Sequence, residues 1–271
     1  MYLTKAKKLL NQEYQQRYKE NVSGYHIEVM DEKIRHSYQV LGAGNFLLRH
    51  EPCFASLSPK EIDKLQAAVL LHDIGRFYEI LMMKDRQFVD HGVYGAKMLA
   101  QIPEFNQKDI VLPIRHHGHL IEALYADEEY MALADEEKAI IRRNAFLVRD
   151  ADKLANFYLL ATHFEEYGPM FLVASEYKDA NSKDISEKIR EDFFNHKCVT
   201  RSEIRNLAEK ALSLWAWIYD INYDSSFLFM ERLHLTDRLF KFLSRYLKED
   251  DARCIKDEMD KFIAERHKKS S

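Results

Sequence analysis

Apolar residues recur every three or four positions along most of this chain, the spacing of helices that bury one face. Residues 3–20 read as a polar surface helix. A second helix is expected over roughly 26–49, with His36, Val40, Ala43 and Leu47 sharing a face. Ser58, Pro59 and Glu61 stand as N-cap, first helical residue and third helical residue, the pattern of a capping box. From there a helix is predicted to run through AAVLLHDIGRFYEI, placing Ile62, Leu65, Val69, His72, Asp73 and Arg76 on one side.

Further on, KDRQFVDHGVYGAKMLAQI reads as a loop feeding a helix, with His91 near the helix start. Another helix leads to the RHHGH run at 115–119, and the acidic stretch YADEEYMALADEE reads as a connection. A long helix is expected over roughly 136–166, with Ala139, Arg143, Phe146, Asp150, Leu154 and Phe157 as its inward stripe. SEYKDANSKDISEK is turn-rich. Two helices, roughly 200–219 and 226–246, and a charged helical tail complete an all-α reading.

Composition sharpens this picture. Only 8 Gly and 5 Pro in 271 residues leave too few tight turns for a sandwich or barrel. No internal repeat or interdomain linker is evident, so one domain over 1–271 is expected. A formal net charge of −4 gives no basic footprint for polymeric nucleic acid. Cys53, Cys198 and Cys254 are far apart and odd in number, with no C-x-x-C, which argues against a disulfide framework or a thiolate zinc site. The first twenty residues lack the apolar centre of a signal peptide, and no run of eighteen apolar residues occurs. A cytoplasmic protein without membrane attachment is the expectation.

The candidate chemistry lies in the polar residues that interrupt the apolar faces. An aspartate at a core position is expensive to bury unless something compensates its charge. Asp73 is such a residue. His36, His72, His91, His116, His117 and Asp150 likewise fall on inward faces or at the mouths of helices. Imidazole nitrogen and carboxylate oxygen are the donor set for Mn, Fe, Zn, Ni or Co, with Mg also admissible. Two divalent ions sharing a carboxylate would use about this many ligands. His26, His50, His119, His163, His196 and His234 read as surface or structural, and Asp90 and Asp152 as residues that orient histidines or cap helices. Trp215, Trp217, Tyr219, Tyr223 and Phe227 read as core.

The order of His36, LLHDIGR at 70–76, DHGVYGAKML at 90–99, IRHHGH at 114–119 and VRDADKLAN at 148–156 resembles the HD superfamily of metal-dependent phosphohydrolases. WAWIYDINYDSSF at 215–227 is similar to the tail of a bacterial subgroup of HD-domain proteins of unassigned substrate. The resemblance implies a helical HD core at about 26–166 and a C-terminal extension over 167–271. It further implies a first metal on His36, His72, Asp73 and Asp150, and a second on Asp73, His91, His116 and His117. It implies one or two divalent ions, with a phosphate ester or nucleotide as substrate. Asp73, Arg76 and Lys153 are the catalytic candidates, the two cations each lying about one helical turn from an expected ligand. Arg76 stands where the cyclic-dinucleotide branch has lysine, and no Gly-Tyr-Pro follows RHHGH, which argues against that substrate. A di-iron oxygenase and a non-catalytic nucleotide-binding protein are the alternatives.

Overall fold

The computed structural model describes residues 1–270, and these are helical with no strand among them. The contacts divide the chain into two compact units, Met1–Asp152 and Lys153–Ser271, with the division inside one long helix. The sequence pattern predicts a single domain, and the family resemblance an HD core ending near 166.

The first unit contains α1 (Tyr2–Glu20), α2 (Ile27–His50), α3 (Pro59–Leu70), α4 (Arg76–Lys84), α5 (His91–Leu99), α6 (Lys108–His116), α7 (Ile121–Tyr125), α8 (Glu128–Met131) and the start of α9 (Asp135–Thr162). Helices α1 and α2 pack on α3, and α5 packs on α6. His36, Val40, Ala43 and Leu47 of α2 are all buried, as their spacing predicts. The capping box at α3 is present, with Ser58 and Glu61 each accepting from the other's backbone N–H. Leu112, Leu124, Tyr130, Ile141 and Ala145 form an apolar cluster that joins α6, α7, α8 and α9.

The helix expected to run through the His-Asp pair is interrupted. It stops at Leu70, residues 71–75 form a buried turn, and α4 begins at Arg76. Gly75 shows why. A Cβ there would lie 2.2 Å from the His91 carbonyl oxygen and 2.8 Å from the Gly95 amide, so only glycine lets the turn touch the α5 backbone. At the other end of that contact, a Cβ on Gly92 would meet the Arg115 carbonyl at 2.7 Å, which locks the start of α5 onto the end of α6. The two glycines together bring His72–Asp73, His91 and His116–His117 to one place.

The second unit continues α9 and adds α10 (Phe164–Phe171), α11 (Glu187–Phe194), α12 (Leu207–Ala216), α13 (Asp224–Arg232), α14 (Leu235–Leu243) and α15 (Glu249–Ser270). The helix expected over 226–246 is two, broken at His234, which adopts a left-handed backbone at φ 51°. The one expected over 200–219 begins only at Leu207, where Asn206 caps it, and α7, α8 and α11 were not foreseen. Trp215, Tyr223 and Phe227 are buried, in keeping with a core role. No helix of the described residues is long and apolar enough to cross a membrane.

Candidate metal centre

Four side chains from three segments converge in the first unit. His36 comes from α2, His72 and Asp73 from the 71–75 turn, and Asp152 from α9. His36 Nε2 lies 2.9 Å from Asp152 Oδ1, and His72 Nε2 lies 3.7 Å from both Asp152 Oδ1 and Asp73 Oδ2. Ligand atoms about 2.1 Å from a shared ion stand roughly 3–3.5 Å apart, so these separations are near those of a common coordination sphere.

The tautomers point the same way. His72 Nδ1–H donates to the Val69 carbonyl at 3.0 Å, which leaves Nε2 as a lone pair. That nitrogen is buried and has no hydrogen-bond partner. Burial pushes the His72 imidazole down to about 4, so the ring is neutral at physiological pH. Burial also opposes the charge on Asp73 and Asp152, yet both are held below the usual carboxylate range. Arg76 and Lys33 do this for Asp73, and the His36 hydrogen bond does it for Asp152. A neutral His72 imidazole beside the ionised carboxylates of buried Asp73 and half-buried Asp152 fits a divalent transition metal.

A second face opens on the other oxygen of Asp73. His91 Nε2, His117 Nε2 and Asp73 Oδ1 form a triangle with edges of 3.2, 3.2 and 3.3 Å. His117 Nδ1–H donates to the Ile114 carbonyl at 2.8 Å, so its Nε2 is an acceptor. Arg76 Nη2 is 2.8 Å from His91 Nε2. Acceptors this close need a shared cation, a metal ion or a proton. Against burial, the carboxylates of Asp73 and Glu79 hold the His91 pKa above its ordinary value.

Two expected ligands lie elsewhere. The α9 carboxylate that meets His36 and His72 is Asp152, not Asp150. Two residues apart on a helix is about 200°, so the two cannot face the same point. Asp150 is fully buried. The inward stripe misphased because α9 is buried on nearly every side from Asn144 to Ala151, while Ala139 is exposed and Arg143 only half-buried. His116 is turned away from its neighbour, and its Nε2 lies 2.8 Å from Asp127, which caps α8. Lys153, an expected catalytic cation, belongs to the second unit, where its ammonium pairs with Asp220 at 2.8 Å.

Three residues near the centre were not singled out from sequence. Lys33 Nζ stands 3.7 Å from Asp73 Oδ2. Glu79 binds Arg76 Nη1 at 2.5 Å and faces His91 Nδ1 at 3.6 Å. Arg149, buried, donates to the carbonyls of His116, His117 and His119 and so fixes the turn carrying the histidine doublet. Lys33 and Glu79 follow a helical spacing of three from His36 and Arg76, a signal that was legible. Asp90 caps α5 by accepting from the Val93 amide and also accepts from His119.

Residues 34–156 match the family model described as HD domain, a span that contains every one of the converging donors, so this part of the chain carries an HD domain. The HD-domain superfamily consists mostly of metal-dependent phosphohydrolases. No curated protein and no solved structure matches the chain.

Proposed function

We propose that this protein is a metal-dependent phosphohydrolase that cleaves a small phosphate ester or nucleotide. The observation behind the reading is the pair of ligand-competent groups His36–His72–Asp152 and His72–Asp73–His117, which share His72 and lie within the HD match. A divalent ion bound there supplies Lewis acidity, which brings water toward ionisation at neutral pH and stabilises charge on phosphoryl oxygens. The chain does the rest. Val69 and Ile114 carbonyls orient His72 and His117 so that each offers Nε2. Asp73 presents one oxygen to His72 and the other to the His91–His117 face, so its carboxylate would help hold metal on both faces and would be placed to take up a proton there. Arg76 is held by Glu79 and His91 with its Nε 3.6 Å from Asp73 Oδ1, near developing phosphoryl charge. The net charge of −4 supports a small substrate over polymeric nucleic acid.

The test is a phosphate-release screen of nucleotides, sugar phosphates and phosphodiesters with Mn, Fe, Co, Ni and Mg, alongside Asp152→Asn. Release that needs metal and is lost in Asp152→Asn is expected. Iron-dependent oxygen uptake with no phosphate release would overturn the reading in favour of an oxygenase.

A further inference from the structure

Lys33, Arg76 and Lys153 are three cations that could meet a substrate phosphoryl group, and their hydrogen-bonding states differ. Lys153 is committed to Asp220 in the second unit. Arg76 is engaged by Glu79 and His91. Lys33 makes neither kind of commitment. Among the described residues its one ion-pair contact is the 3.7 Å approach to Asp73 Oδ2, too long for a hydrogen bond, so described protein groups leave the ammonium donors unfilled. Its side chain is 22% exposed, whereas Asp73 is 3% exposed, so Lys33 keeps contact with solvent beside a carboxylate that has almost none.

Position adds to this. Lys33 lies one turn before His36 on α2, on the same helix face. Its ammonium approaches Oδ2 of Asp73, the oxygen that also faces His72, on the side of the His36–His72–Asp152 cluster. Charge is consistent as well. Among Asp73, Asp152, Glu79, Arg76 and Lys33, one divalent ion would leave a single positive charge over, and that surplus suits an anion. Asp73 does not need Lys33 as its sole compensation, because Arg76 Nε is equally near.

We propose that Lys33 is a catalytic residue whose ammonium binds a non-bridging oxygen of the substrate phosphoryl group beside the metal centre. The assignment rests on the phosphohydrolase reading. A phosphoryl oxygen would complete the donors of Lys33 with charge-assisted hydrogen bonds, which fix the phosphorus relative to the metal-facing oxygen of Asp73.

The experiment uses the full chain loaded with Mn, with Lys33→Met and Lys33→Arg beside the unaltered protein. Metal content is measured by elemental analysis, and affinity for inorganic phosphate by calorimetry. The expected result is full metal content in both variants, phosphate affinity lower by roughly 10- to 100-fold in Lys33→Met, and partial recovery in Lys33→Arg. Unchanged phosphate affinity in metal-replete Lys33→Met would overturn the assignment while leaving the phosphohydrolase reading standing. Loss of metal from both variants would overturn it too, making Lys33 part of the metal-holding electrostatics. If the unaltered, metal-loaded protein bound no phosphate and released none from any substrate, both readings would fall together.

Discussion

Gly75→Ala separates the tertiary account of this site from the helical one. On backbone entropy alone the change would help, since alanine in place of glycine at an ordinary φ of −75° stabilises by about 0.5–1 kcal/mol. The structure demands the opposite sign. The new Cβ would sit 2.2 Å from the His91 carbonyl oxygen and 2.8 Å from the Gly95 amide, against an ordinary contact of 3.4 Å or more. Both obstacles are backbone, so no rotamer change relieves them, and α5 must withdraw by about 1 Å. Overpacking of this kind costs about 1–3 kcal/mol, and the upper half of that range applies where nothing flexible can yield. After the entropic gain, a net loss of about 2 kcal/mol is expected in the first unit, roughly 4–8 °C in Tm. Withdrawal of α5 also carries His91 away from Asp73 and His117. Both tryptophans, Trp215 and Trp217, lie in the second unit, so their fluorescence is the wrong probe. Hydrogen exchange read on peptides covering 91–99, with calorimetry alongside, reports the right place. Equal or greater stability with unchanged protection at 91–99 would refute the close-packing argument.

Three further outcomes follow from the geometry. Asp152→Asn should empty the centre of most of its metal while Asp150→Asn retains it, a contrast that elemental analysis reads directly; the reverse pattern would restore the sequence assignment. His116→Ala should keep its metal and lose about 1 kcal/mol of stability, because half-buried Asp127 loses one partner while keeping Arg115, whereas His117→Ala should lose metal. In metal-stripped protein, stability should fall as the pH drops from about 6.5 toward 4. An unfolded His72 takes up its proton near 6.5 while the folded one resists until about 4, a difference on the order of 3 kcal/mol. Below that range Asp73 and Asp152, whose folded pKa values are depressed, add acid sensitivity of the same sign. Urea titrations at pH 7, 6 and 5 measure the upper part, and an equally steep fall in His72→Gln would show that His72 is not its source.

The sequence by itself determined the all-α class, because a 3.6-residue period and scarce Gly and Pro leave few other ways to bury so many apolar residues. It also determined where helices start when the signal is local, as with the Ser58 capping box or the Asp90 cap of α5. Motif order marked out His36, His72, Asp73, His91 and His117 as residues to watch, and the structure draws these five together. Their partners were decided only in three dimensions. Whether α9 offers Asp150 or Asp152 depends on its rotation, and a helix buried on nearly every side has no polar face in its sequence from which to read that rotation. The break at 71–75 was equally invisible, since the run LLHDIG is as apolar as a helix interior and its turn exists because Gly75 meets a backbone fifteen or more residues away. His116 and His117 are neighbours in sequence, yet about 100° of helical turn sends one to Asp127 and the other to Asp73. Local pattern is enough to make helices; the chemistry of this chain depends on which atoms distant segments bring within about 3 Å, and only packing sets that.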